Sequence, residues 1–166
     1  MKTLSLSLLC LALCAASVAN AAPKRLNNKF YVFDNCASLT AAACAVTIQQ
    51  PASGSQWVDF DYAEIFCSVA CVVTISRDGT AATATAATEN SLNGGVTATA
   101  VGFIDSDVGA GTTIRTVNIA AGATRTVDLT GLVLENDDTT TNNLTLQTNA
   151  ITGDATVYTQ WAESKQ

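Results

Sequence analysis

The chain has 166 residues, six cysteines and no histidine, and its 14 Asp and Glu against 8 Lys and Arg give a net charge of −6. The missing imidazole removes Ser-His-Asp and Cys-His nucleophilic catalysis and most zinc hydrolase arrangements. The acidic balance argues against nucleic acid or an anionic membrane as the main partner, because phosphate binding is carried by clustered cations.

The first 21 residues read as an export signal. Lys2 supplies a positive start, residues 4–13 an apolar run, and Ala19-Asn20-Ala21 a small-x-small cleavage site before Ala22. The run is too short for a hydrocarbon layer of ~30 Å, which needs about 20 residues. The rival reading, a lipoprotein acylated at Cys14, meets the bulky Leu13 where a small residue is expected. The expected location is secreted, cell-surface or periplasmic, with no transmembrane segment in the mature chain. Residues 22–35 then form an N-terminal arm carrying Lys24, Arg25 and Lys29, and residues 36–166 a single domain.

Within the arm, Phe30-Tyr31-Val32-Phe33 is a short β-prone run closed by Asp34-Asn35. Left unpaired, with Phe30 and Phe33 as anchors, this arm could complete the sheet edge of a neighbouring copy or of another surface protein. Residues 45–49 (AVTIQ) make the next strand, ended by Pro51 and a Ser-Gly-Ser turn.

The clearest periodicity lies in residues 57–66. Trp57, Asp59, Asp61 and Ala63 fall on one side, and Val58, Phe60, Tyr62 and Glu64 on the other. Period-two alternation predicts a half-buried strand. Residues 72–76 (VVTIS) follow, and Asp78-Gly79 predicts a hairpin.

The alanine and threonine run at 81–88 reads as a flat strand, and Thr83 and Thr85 on one face suggest a water-ordering or sugar-docking surface. An ice-binding ladder would need a fixed repeat, which is absent. Further strands are expected at 96–104, 113–119, 124–129, 131–134, around Leu144 and Leu146, and at 155–161.

About ten or eleven short strands with regular turn signals predict an all-β fold, an antiparallel β-sandwich or jelly roll. Its core is expected to be Val, Ile, Leu and Ala around Phe60, Phe66, Phe103, Trp57 and Trp161.

Cys36, Cys44, Cys67 and Cys71 remain after signal cleavage. In an exported chain they read as two disulfides rather than a zinc site. The favoured pairing is sequential, Cys36–Cys44 and Cys67–Cys71. An extended strand would hold the second pair about 13 Å apart at ~3.3 Å per residue. The pairing therefore requires a turn at Ser68-Val69-Ala70; one unbroken strand over 60–76 would force a crossed pairing.

No catalytic residue stands out, and no enzyme activity or organic cofactor is expected. Asp59 with Asp61, and Asp105 with Asp107, are carboxylate pairs of the kind glycosidases use, and also of the kind solvated strands and loops carry. Calcium is the ion the acidic loops suit, through Asp105, Asp107, Glu135, Asp137 and Asp138, although neither loop has the spacing of an EF-hand. Trp57, Tyr62, Tyr158 and Trp161 could stack on sugar rings if exposed. Asn143-Leu144-Thr145 is a glycosylation sequon.

The runs CSVACVVTISRDGTAATATAAT and NLTLQTNAITGDATVYTQW resemble small β-sandwich proteins of bacterial genomes and phage structural genes. The resemblance implies a β-sandwich and no catalytic residues; an export signal departs from a virion surface protein. In composition the chain is also similar to exported pilins, but its cysteine spacing departs from the chaperone-dependent type. The ranking that follows places a structural or assembly role at or outside the cell surface first. An adhesive module for surface glycans comes second, and a phage-like surface protein is a further alternative.

Overall fold

The computed structural model describes residues 28–50, 56–78, 80–81, 85–104, 108–109, 111–135, 142–149 and 151–165. Fourteen strands and no helix fill them: β1 (Asn28–Ala42), β2 (Ala45–Gln50), β3 (Gln56–Cys67), β4 (Cys71–Arg77), β5 (Thr80–Ala81), β6 (Thr85–Ala86), β7 (Asn90–Ser91), β8 (Val101–Ile104), β9 (Val108–Gly109), β10 (Thr112–Ile119), β11 (Ala123–Asp128), β12 (Val133–Leu134), β13 (Asn142–Thr148) and β14 (Ile151–Lys165). Five of them are only two residues long, which is why the sequence suggests fewer.

Two antiparallel six-stranded sheets pack as a sandwich. The first runs β11-β3-β14-β1-β7, with β12 also on β3, and the second runs β10-β4-β13-β2-β8-β6. The two orders run in step. β1 leads directly to β2, β3 to β4, β10 to β11 and β13 to β14, and each step crosses from one sheet to the other. The registers place all four crossings at the same end: Ala42 lies opposite Ile151, Cys67 opposite both Ala155 and Ala123, and Cys71 opposite Ile119.

Both disulfides sit in these crossings. Cys36 bonds Cys44 and Cys67 bonds Cys71, with Cα–Cα distances of 5.8 and 6.3 Å. The sequential pairing holds because β3 stops at Cys67 and the chain turns through Ser68-Val69-Ala70 before β4. Asp154 ties the same end together. Its carboxylate accepts the Ser38 amide at 2.8 Å, its carbonyl the Ser68 amide at 2.8 Å, and its own amide donates to Ser68 Oγ at 2.7 Å. Gly153 has φ +99°, and a Cβ there would lie 2.5 Å from Ser68 Oγ, so glycine is required for this approach.

The core lies between the sheets and draws on Val32, Val46, Ile48, Val58, Ile65, Val73, Ile75, Leu144, Leu146 and Val157, all at 0% exposure. Aliphatic residues dominate, as the composition implies, but the aromatic members differ from expectation. Trp161, Phe60 and Phe30 are buried, Phe66 and Phe103 are half-buried, and Trp57 is exposed. Phe30 stacks on Trp161 with centroids 6.0 Å apart.

Three local expectations are corrected. Residues 28–35 do not stand away from the body as an arm: they are the first half of β1 and pair with β14 from Asn28↔Glu163 to Cys36↔Ala155. Asp78 takes φ 57°, as a turn residue should, yet the next strand pairs with β9 instead of folding back on β4. The run 81–88 is not one flat strand; β5 and β6 take different partners, β9 and β8. The sequon residue Asn143 is buried in β13, where a glycan has no room.

Candidate ligand-binding face

β3 and β14 pair in regular register except at one point. Gln160 lies opposite Tyr62 and Trp161 opposite Phe60, which leaves Asp61 as the extra residue of a β-bulge. The bulge reverses the alternation. Before it, Val58 and Phe60 point into the core; after it, Ala63, Ile65 and Cys67 do. Tyr62 and Glu64, expected beside Phe60, therefore join Trp57 and Asp59 on the outer, solvent-facing side.

β1 and β14 complete that outer face without interruption. Phe30, Val32, Asp34 and Cys36 point inward, so Lys29, Tyr31, Phe33 and Asn35 point outward. On β14, Tyr158 and Gln160 are outward, between the inward Val157, Thr159 and Trp161. The register then brings the aromatic residues together. Phe33 is directly across from Tyr158, while Tyr31 and Tyr62 flank Gln160 from either side. Tyr158 lies between the other two tyrosines, stacked on Tyr31 with centroids 5.4 Å apart and tilted against Tyr62 with centroids 5.8 Å apart. The row crosses three strands, about 10 Å at the usual strand spacing. Phe33 stands 50% exposed beside it.

All three tyrosines, two of the five phenylalanines and one of the two tryptophans lie on this face, Phe66 and Trp57 being the outlying members. Half-buried tyrosines beside the exposed Phe33 and Trp57 give the outer sheet face an aromatic surface suited to contact.

A polar chain borders the row. The Lys29 ammonium donates to Asp61 Oδ2 at 2.8 Å, Gln160 Nε2 donates to the same oxygen at 2.7 Å, and the Tyr158 hydroxyl donates to Gln160 Oε1 at 3.1 Å. The donors fix the bulge carboxylate on the outer side and orient the Gln160 amide. Burial among its neighbours, then the hydrogen bond with Tyr62, pushes the Tyr158 phenol well above its ordinary value, so it stays a neutral donor. Asp128, opposite Tyr62 at the edge, is held below the usual carboxylate range by the Thr130 hydroxyl and amide.

The other expected site residues fall as follows. Trp161 has 0% exposure, and its indole N–H donates to Glu163 Oε1 at 3.3 Å, so it cannot stack on a ligand. Phe30 is likewise core. Asp61 is engaged by Lys29 and Gln160, with Asp59 two positions away on the same strand. Asp105, Asp107, Asp137 and Asp138 lie outside the described residues, as does Thr83. Glu135 is exposed, and its carbonyl accepts Asn142 Nδ2 at 2.9 Å.

Among the described residues, one group brings three metal-ligating side chains within 4.8 Å of one another: Asp34, Cys36 and Cys44. Both sulfurs are committed to the disulfide, so no thiolate is offered there.

Sequence reading missed Tyr31, Lys29, Gln160 and Glu64. The usable signal was in β1, where Lys29, Tyr31, Phe33 and Asn35 alternate with the inward residues. No family model, curated protein or solved structure matches the chain.

Proposed function

We propose that this protein is a non-enzymatic exported module that binds carbohydrate through the outer face of its first sheet. The observation that carries the reading is the row Tyr62–Tyr158–Tyr31 with exposed Phe33, bordered by the Asp61–Gln160–Lys29 chain. Phe33, half exposed, and the sides of Tyr31 and Tyr62 turned away from Tyr158 offer ring surface to the apolar faces of pyranose rings, with Tyr158 holding the row together, while oriented carboxylate, amide and ammonium groups take the hydroxyls. The length of the row suits a disaccharide unit of a longer chain. The disulfides suit an oxidising compartment, and no helix among the described residues is long and apolar enough to cross a membrane.

The test is titration calorimetry of the oxidised protein against soluble polysaccharides. Phe33→Ala and Tyr158→Ala should each weaken binding about tenfold, which corresponds to about 1.4 kcal/mol, with unchanged circular dichroism. Wild-type affinity in both variants would refute the reading.

An assembly role is supported by a separate observation. Beyond Tyr31, no described strand pairs with β1 on the side away from β14, and β10 closes the second sheet with residues 112–116 exposed. Strand addition would then use these edges and not a free arm. Light scattering should give multimers that dissociate when Ile114, 41% exposed on β10, is replaced by lysine; a monomer at high concentration excludes this route.

A further inference from the structure

The charges around the aromatic row are strongly one-sided. β3 contributes Asp59, Asp61 and Glu64 to the outer face, and β11 adds Asp128 in register with Tyr62. The facing cation is Lys29, and it is spent on Asp61 in the one salt bridge found among the described residues. Arg115 reaches the Asp128 carbonyl from the second sheet, at 3.4 Å, and attracts its carboxylate without forming a salt bridge. Asp59, Glu64 and Asp128 thus surround the row without salt-bridge partners.

A neutral sugar gains little from such a rim. A sugar bearing an ammonium group gains twice: from carboxylates that accept charge-assisted hydrogen bonds, and from the exposed aromatic surface at Phe33 and the rim of the row, which attracts cations. Glu64 lies directly across from Tyr158, and Asp128 across from Tyr62, so carboxylates flank the row along one side. The Thr130 hydrogen bonds that keep Asp128 ionised add to this. Resting on the carbohydrate reading, we infer that the preferred occupant is an amino-sugar chain with free amines, such as a glucosamine polymer.

The experiment titrates the oxidised protein at about pH 5.5, where carboxylates are largely charged. The probes are a soluble glucosamine oligomer, its fully N-acetylated counterpart of equal length, a glucose oligomer and an oligolysine of equal charge. The expected result is at least tenfold tighter binding of the free-amine oligomer than of the acetylated one. That gap should close in Glu64→Gln combined with Asp128→Asn, through loss of the free-amine oligomer's advantage, with the acetylated oligomer still bound. Equal affinity for all three sugars would overturn the amine preference and leave the carbohydrate reading standing. Binding of no sugar would overturn both. Oligolysine binding as tightly as the glucosamine oligomer would reduce the effect to charge alone and overturn the assignment to an amino sugar.

Discussion

Trp161→Ala is expected to destabilise the fold by about 3–5 kcal/mol, the usual range for deleting a large buried aromatic. Trp161 has 0% exposure, stacks on Phe30, and points its indole N–H at Glu163. The same carboxylate receives the amides of Thr99 at 2.8 Å and Ala100 at 2.9 Å, so the tryptophan helps fix the group that anchors that loop. Against a total stability of about 5–15 kcal/mol for a domain, the loss would leave little folded protein at moderate denaturant. Trp57→Ala, at 39% exposure, should cost under about 1 kcal/mol. Urea unfolding of the two variants side by side tests the assignment; similar midpoints would show that Trp161 is not the packing centre described.

Removing either disulfide alone should cost somewhat less, about 2–3 kcal/mol. Both close short loops, with sequence separations of 8 and 4, and the chain entropy they remove from the unfolded state is correspondingly modest. Alanine is the informative replacement, because Cys44 and Cys67 have 0% exposure and a serine hydroxyl would be left buried. For a domain of this size, 1 kcal/mol moves the melting temperature by about 2–4 °C. Each pair replaced should therefore lower it by roughly 5–10 °C. Full reduction, verified by thiol titration, should reproduce the combined shift. An unchanged melting temperature after complete reduction would show that the hydrogen bonds around Asp154 hold that end without sulfur.

The fold class and the cysteine pairing were legible because each rests on local rules. Alternation marks strands, and the geometry of Cys67 and Cys71 demands a turn between them. The candidate face was half legible. Tyr62, Tyr158, Trp57 and Phe33 were marked as contact residues by type, but their grouping depends on pairing partners far away in sequence. Asp61 shows the difficulty most clearly. A strict period of two places Tyr62 beside Phe60 in the core, and nothing local shows that β14 skips one residue there. The second half of β1, residues 35–42 (NCASLTAA), is mostly alanine and small or polar residues and carries no strand signal of its own; its extension follows from pairing with β14. Trp161 was assigned both to the core and to a stacking surface, and only the register decides for the core.

The ladder between β1 and β14 has a mechanical consequence. Asn28 lies across from Glu163, so the strand that begins the described chain and the strand that ends it are antiparallel neighbours, open at the rim away from the disulfides. Tension applied between those two ends would unzip them one pair at a time, through Tyr31 with Gln160 and then Phe33 with Tyr158. The tear would halt at Cys36, where the bond to Cys44 holds β1 to the second sheet. The aromatic row would come apart first while the stapled interior stayed closed.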